Sequence, residues 1–403
     1  MNTVPSLARL GMIAMVVAAT PPASAQISDD VIRIGFITDM SGVYADYDGP
    51  GGAEAIRMAV ADMGGSINGR KIDVLVADHQ NKADIAAAKA REWVDTQKLD
   101  MLVGGTNSAA ALAMAAVALE KKRPYFAVGS GASTLTNEQC TPYTIHYAYD
   151  TNALARGTAA AVVKNGGKSW FFVSADYAFG TALQNDATNV VKANGGTVVG
   201  AVKHPLNPSD FSSYILQAQA SKADVLALAN AGGDTTSAIR SAADFGVNKT
   251  MKLVALITMI NDVHALGLKT SQGLYLTDSW YWNQTPEARA WSRRFFDKFK
   301  RMPSSFQAAD YSATLQYLSA VKAIGSDDGD KVMAQLRKAR FNDMYVKDGW
   351  LRADGLMIHD MRLMQVKTPA QSTEPWDYYN VVSTIKGEAA WNTKAESRCA
   401  LWK

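Results

Sequence analysis

Two glycine- and serine-rich segments carry the residues best suited to chemistry: Gly104-Gly105-Thr106-Asn107-Ser108 and Gly129-Ser130-Gly131-Ala132-Ser133. Each follows a short apolar run and leads toward a helical pattern. Glycine lets a ligand approach the backbone, and N–H groups at a helix start hold an anion without a side-chain cation. A carboxylate near Ser108 and Gly131 is the ligand to expect. A single such segment is also what any βα turn with a Ser or Asn cap looks like, so the expectation rests on there being two. Aromatic residues form a second group. Tyr44 and Tyr47 follow one apolar run, Tyr177 and Phe179 another, and Trp280, Tyr281 and Trp282 a third. Rings at such positions stack on a flat ligand or plug a cleft, and as a set they read as a ligand box.

Catalytic patterns are thin. There is no Walker A run, no G-x-S-x-G, and no G-x-G-x-x-G after the first apolar run. The five histidines show no H-x-x-x-H spacing, so no metal is expected. No pair of acids is marked out for proton transfer. The expectation is a binding protein, not an enzyme, with no cofactor.

The chain has 403 residues, with 41 Lys and Arg against 38 Asp and Glu. Its start reads as an export signal over 1–25: Arg9, an apolar stretch over 10–19, and Ala23-Ser24-Ala25 before Gln26. Removing it leaves about 378 residues, enough for two domains, with a charge of about +2. That balance gives no nucleic-acid surface. No second apolar run reaches spanning length, and Gln26 stands where a lipid-anchor cysteine would. The two cysteines, Cys140 and Cys399, favour a disulfide in an oxidising compartment over two buried thiols.

These residues have to be positioned by an alternating α/β pattern. Strands are expected over 31–37, 72–77, 101–103, 125–128, 170–174, 197–203, 225–229, 253–257 and 274–277. Helices are expected over 52–63, 84–98, 109–120, 154–164, 182–193, 212–221 and 235–245, then over 286–300 and 305–324. Strands separated by helices of this length imply right-handed crossovers and parallel sheets. The pattern restarts near Tyr147, which predicts two doubly wound lobes. Near the end, 349–352 and 361–367 read as antiparallel strands around the turn Ala353-Asp354-Gly355. Ligands of such sheets bind beyond the carboxyl ends of the strands, where the loops 230–234 and 258–261 also fall.

The run Ile34-Gly35-Phe36-Ile37-Thr38-Asp39-Met40-Ser41-Gly42 carries a family likeness, as do the 52–62 helix with Gly64-Gly65 and Asn68-Gly69 after it, and the segments 103–108, 126–136 and 176–180. In order and spacing the chain resembles the extracytoplasmic solute-binding proteins of ABC importers, in the branched-chain amino acid class. The resemblance covers nearly all of the mature chain. It implies a type I periplasmic-binding-protein fold: two doubly wound lobes, each with a mostly parallel sheet, and a three-crossing hinge that closes on a ligand. It places lobe 1 at 26–148 plus 279–347, lobe 2 at 149–278 plus 348–390, and a tail at 391–403 tied back by Cys140–Cys399. The position that holds a carboxylate falls on Ser108, beside Asn107, and the backbone contacts of the next loop fall on Gly129 and Gly131, with Ser130 between. The aromatic wall falls on Tyr47 with Tyr44, and in the second lobe on Phe179 with Tyr177. The loop with Asn230 and Asp234 faces the cleft.

One departure is informative. Amino-acid binders of this family hold the ligand's ammonium with an acid, and the matching stretch Ile257-Thr258-Met259-Ile260 has none. Burying an unpaired ammonium costs several kcal/mol. With Asp234 and Asp176 as the only substitutes considered, an aromatic carboxylate is the expected ligand, as in the subgroup that binds benzoate- or cinnamate-type acids. An amino-acid, amide or urea receptor of the same fold is the alternative. The expected partner is an ABC permease, for a monomeric protein in the periplasm that binds no nucleic acid.

Overall fold

Strands that read as apolar on both faces do so because helices cover their sheet on each side. The computed structural model describes Met1 and residues 27–403, so the expected export signal lies outside the described residues. Strand β1 (Val31–Thr38) is the centre of the first lobe, with Ile32, Ile34, Phe36 and Ile37 fully buried. The short β2 (Ser66–Ile67) runs antiparallel to β3 (Arg70–Asp78), and β3 lies parallel to β1. On the other side of β1 follow β4 (Met101–Gly104), β5 (Tyr125–Ala127) and β6 (Thr144–His146), all parallel. Helices α1 (Gly49–Asp62), α2 (Ala83–Gln97) and α3 (Ser108–Lys121) make the crossovers. The strand order β2-β3-β1-β4-β5-β6 reverses direction between β1 and β4. That reversal opens a crevice at the carboxyl ends of the strands.

The chain then runs through α4 (Thr151–Leu154), a π-helical turn (Ala155–Ala159) and α5 (Ala160–Lys164). The second lobe repeats the plan with β7 (Ser169–Ala175), β8 (Thr197–His204), β9 (Val225–Ala229) and β10 (Lys252–Ala255), all parallel in the order β10-β9-β7-β8. Its crossovers are α6 (Ala178–Ala193), α7 (Ser212–Ala220) and α8 (Gly233–Asp244). This order reverses between β7 and β9, so each lobe presents one crevice. The expected α/β architecture of two parallel-sheet lobes is what the chain forms.

After α9 (Ile260–Leu266) and α10 (Leu268–Ser271), β11 (Tyr275–Asp278) leads into α11 (Pro286–Phe299), α12 (Ser305–Ile324) and α13 (Gly329–Lys338). Helix α12 packs along α1, tied there by Tyr311, whose hydroxyl donates to Asp62 at 2.7 Å. The C-terminal region differs from the expected hairpin. Strand β12 (Trp350–Leu351) pairs with β13 (Met357–Ile358) around the Ala353-Asp354-Gly355 turn. Strand β14 (Met361–Val366) instead joins β11 on one side and β15 (Tyr379–Ile385) on the other, in a separate antiparallel sheet. The turn residues were read correctly, but they close a hairpin of only two residues a side. Cys140 and Cys399 are joined, with Cα atoms 5.7 Å apart. No described helix is long and apolar enough to cross a membrane.

Candidate ligand-binding cleft

The two crevices face each other and enclose a small cavity lined by Tyr44, Tyr47, Thr106, Gly129 and Phe306 of the first lobe, by Tyr177, Phe179 and Ala231 of the second, and by Tyr149 of the segment between them. Strand ends supply most of these. Tyr44 and Tyr47 follow β1, Thr106 follows β4, Gly129 follows β5, Tyr177 and Phe179 follow β7, and Ala231 follows β9. Tyr149 comes from the segment after β6 and Phe306 from the first turn of α12. The rings are in mutual contact. Tyr149 stacks on Phe306 with centroids 5.0 Å apart, Tyr47 meets Phe306 edge-on at 5.9 Å, and Tyr177 lies 6.2 Å from Phe179. Edge-to-face and offset contacts of this kind add to the stabilisation from burial alone.

The cavity is closed. It has about 10 Å³ of space for the centre of a water molecule, room for roughly one. Hydrogen bonds cross it from lobe to lobe. The hydroxyls of Tyr44 and Tyr177 are 2.7 Å apart, and the Gly232 amide donates to the Tyr47 hydroxyl at 2.7 Å. Tyr47 in turn donates to Oδ2 of Asp262. The Gly233 amide reaches the Val43 carbonyl at 3.2 Å, and at the edge of the cleft Ser133 donates to Asp186 at 2.9 Å.

Burial holds the hydroxyls of Tyr44, Tyr47, Tyr149 and Tyr177 protonated, with pKa values raised well above the ordinary range. They are neutral donors. No Lys or Arg is among the lining residues. Burial pushes the Asp262 carboxyl up to about 7, although the Tyr47 hydroxyl and the Met259 amide both favour its charged form. It is the N3 residue of α9, accepting from Met259 N at 2.8 Å.

Of the residues singled out in the sequence, Tyr44, Tyr47, Gly129, Tyr177 and Phe179 come together around the cavity. Ser108 is the first residue of α3, and its oxygen accepts from the Ala132 amide at 3.2 Å, which ties the two Gly/Ser-rich loops together and leaves the hydroxyl proton to donate. Asn107 caps α3, accepting from Ala109 N and Ala110 N. Gly131 packs so closely under Tyr149 that a Cβ would lie 2.5 Å from the ring. Ser130 is turned inward, its carbonyl 2.7 Å from Nε2 of His146 and its hydroxyl buried without a partner. In the second lobe Asn230 is engaged by Thr235 and His204, and Thr258 is buried with its hydroxyl unpartnered.

Neither acid considered as an ammonium partner stands free. Asp234 accepts from the Asn207 amide through both oxygens, at 3.1 and 3.2 Å, while Asp176 pairs with Lys203 at the surface. The Trp280-Tyr281-Trp282 segment is absent from the cavity wall. It is buried elsewhere, with Trp282 donating to the Trp376 carbonyl at 2.8 Å and Trp280 to the Met344 carbonyl at 3.1 Å. Sequence reasoning missed Tyr149, Phe306 and Asp262, and left Thr106 and Ala231 as loop residues without a role of their own.

Comparison with known proteins agrees with this fold. Residues 31–373 match the family described as periplasmic binding protein. A Leu/Ile/Val-binding protein homolog of Brucella melitensis is 25% identical over 244 residues, 59% of this chain and 62% of that relative's length. The crystal structure of a periplasmic binding protein from Burkholderia mallei is 66% identical with a TM-score of 0.92, covering 93% of this chain and 100% of the other. A solute-binding protein of an ABC transporter from R. palustris, solved in complex with 4-hydroxybenzoate, shares the fold at 21% identity and a TM-score of 0.81, over 90% of this chain and 99% of its own.

Proposed function

The chain belongs to the periplasmic binding protein family, and on that premise we propose that it captures a small aromatic carboxylate between its lobes and hands it to an ABC permease. One observation carries the reading: the cavity wall is mostly aromatic and its hydroxyl groups are uncharged. Six of the nine lining residues are Tyr or Phe. A flat apolar ring is stabilised among them by stacking and by release of water. The carboxylate is received by the Ser108 hydroxyl and the amides of the loop from Gly129 to Gly131, at the start of α3. Neutral donors at a helix N-terminus suit a single negative charge. The R. palustris neighbour bound to 4-hydroxybenzoate supports the reading to the extent that this fold accommodates such an acid.

Entry requires the rings to part, because the closed cavity has no room for a ring. Ligand therefore meets an open form and stabilises the closed one through contacts with both lobes. The closed form is what the permease recognises. Export across the inner membrane, directed by residues 1–25 and followed by their cleavage, belongs to the same reading.

An amino-acid receptor is the second reading, and Asp262 is the observation that favours it. If a ligand ammonium displaced the Tyr47 hydroxyl, that carboxyl would be its partner. A thermal-shift and calorimetric comparison of benzoate, 4-hydroxybenzoate and leucine on protein starting at Gln26 separates the two. Ligand at a hundred times its Kd adds about 2.7 kcal/mol of stability. The expected result is a shift with the aromatic acids alone, weakened about tenfold or more in Ser108→Ala, since a hydrogen bond to a charged group contributes about 1.5–3 kcal/mol. A shift with leucine alone overturns the aromatic-acid assignment.

A further inference from the structure

Beneath the cleft wall, three buried carboxylate oxygens have no hydrogen-bond donor: Oδ1 of Asp48 and both oxygens of Asp310. Both side chains are fully buried. Asp48 is the N-cap position of α1, and Asp310 lies near the start of α12, which packs along α1. The carboxylates meet where Gly52 leaves a gap. A Cβ on Gly52 would come closer than 3.0 Å to Oδ1 of Asp48, to Oδ2 of Asp310 and to the Phe36 ring. The other oxygen of Asp48 is fully engaged. Thr38 donates to it at 2.7 Å, Thr106 donates to it as well, and the two hydroxyl oxygens are 2.5 Å apart. Thr106 is the residue that this cluster presents to the ligand cavity.

Ionised carboxylates only accept hydrogen bonds, so two of them facing each other away from water leave their facing lone pairs unpaired and repel as well. No cation is among the charges acting on Asp310. The surrounding titratable groups offer none. His79, the first residue after β3, is held toward its neutral form by burial, opposed by Asp39, Asp78 and Asp48. Tyr125 on β5 stays protonated through burial and the Asp48 charge. On α12 itself, the Gln307 amide reaches the main-chain carbonyls of Asp46 and Asp48, each at 3.4 Å, and neither carboxylate.

We propose that Asp48 and Asp310 share one proton, carried by Asp310 as a donor to Asp48, and that this acid pair is the positioning element for the Thr106 hydroxyl at the cleft wall. One proton satisfies Oδ1 of Asp48 and removes the repulsion. It also leaves Asp48 with the charge that holds Thr38 and Thr106. Burial and the Asp48 charge both raise the Asp310 pKa well above the usual carboxylate range, in keeping with the geometry. For an acid raised in the folded state, the stabilising contribution is complete below the unfolded pKa of about 4 and is lost as pH rises through the folded value.

Asp310→Asn tests this, because its amide donates to Asp48 at every pH. Urea unfolding of wild type and variant from about pH 5 to pH 10 is expected to diverge in the variant's favour, by about tenfold in the folding equilibrium per pH unit across the Asp310 titration. Contributions from other buried acids cancel in the comparison. Parallel profiles overturn the shared proton. Over the same range, wild-type affinity for benzoate is expected to fall more steeply than the variant's, the titration of Asp262 being common to both. Divergent unfolding with unchanged binding supports the proton and overturns the hold on Thr106. That binding measurement rests on the cleft reading above; if benzoate binds at no pH that reading fails, and the unfolding comparison still decides the acid pair. Should Asp310→Asn not fold, infrared spectra of the wild type decide. A protonated-carboxyl band that persists at about pH 9, above the ordinary range of every carboxyl, supports the pair, and its absence overturns it.

Discussion

Tyr47 ties one lobe to two groups of the other through a single oxygen, donating to Asp262 and accepting from the Gly232 amide. Its ring meanwhile packs against Phe306. Tyr47→Phe keeps the ring and removes the oxygen. In the closed form that leaves the buried Gly232 N–H unpaired and the buried Asp262 carboxyl with only the Met259 amide as donor, at about 1–3 kcal/mol for each lost partner, whereas in the open form water satisfies both. The variant is expected to keep its fold, to bind ligand at least about tenfold more weakly, and to recover no affinity on changing to a different aromatic acid. Calorimetry checks this, and wild-type affinity in the variant would detach Tyr47 from closure. Tyr44, Tyr47, Tyr177 and Phe179 were legible in the sequence because each follows an apolar strand within a few residues, where a doubly wound sheet places its ligand. Tyr149 and Phe306 carry no such mark. They lie more than 150 positions apart, one on a connecting segment and one inside a helix, and only the packing of α12 against the first lobe brings their rings to stack. Asp262 was invisible for another reason. As an N3 residue it reads as a helix cap, which it is, and its contact with Tyr47 depends on lobe closure.

The loop between β5 and β6 shows how an element sets the cleft. Gly131 lets its backbone lie against the Tyr149 ring, and its carbonyl accepts from the Thr151 amide at 2.8 Å, at the start of α4. Gly131→Ala puts a methyl group where the ring now lies, so Tyr149 must leave its stack on Phe306 or the loop must move. Overpacking of this kind costs about 1–3 kcal/mol. The expected outcome is a folded protein with a lowered Tm and ligand affinity reduced more than about tenfold, read by thermal shift with and without benzoate. An unchanged affinity would place the ligand away from Tyr149. Most parallel strands were legible to within two residues, most plainly where burial on both faces leaves an unbroken apolar run, as in Val225–Ala229, whereas the three-residue parallel strand β6 was missed. Strand β15 was not. Asn380, Val381, Val382, Ser383 and Thr384 are half-buried or exposed, so no core-facing alternation marks them, and pairing with β14 alone defines the strand. The same holds for β13, whose two residues are too few to show any period.

At the scale of the whole chain, the fold joins rigid lobes by features far apart in sequence. The Cys140–Cys399 bond closes a separation of 259 residues and anchors the tail to the first lobe, where Arg398 also pairs with Glu138. From there Glu396 reaches Arg156 in the π-helical turn that leads into the second lobe, at 2.7 Å. Replacing both cysteines with serine is expected to lower stability by about 2–4 kcal/mol, through a less constrained unfolded chain, with ligand affinity nearly unchanged because neither residue borders the cavity. Closure is the property that no local pattern encodes. The cross-lobe bonds of Tyr44, Tyr47 and Gly233 are few, each contributes about 0.5–1.5 kcal/mol net, and water replaces all of them when the lobes part. A handful of such bonds cannot hold a cleft shut against the entropy of hinge motion without a further contribution, and on the aromatic-acid reading a ligand ring stacked among Tyr149, Phe306, Tyr177 and Phe179 would supply it. The protein alone is therefore expected to populate open and closed forms together. Small-angle scattering should show a radius of gyration that contracts on adding a saturating aromatic acid, and Tyr44→Phe combined with Tyr47→Phe should enlarge the ligand-free value. Identical scattering with and without a ligand that calorimetry shows to bind would mean that the closed form is the resting state, and that the rings part only transiently to admit it.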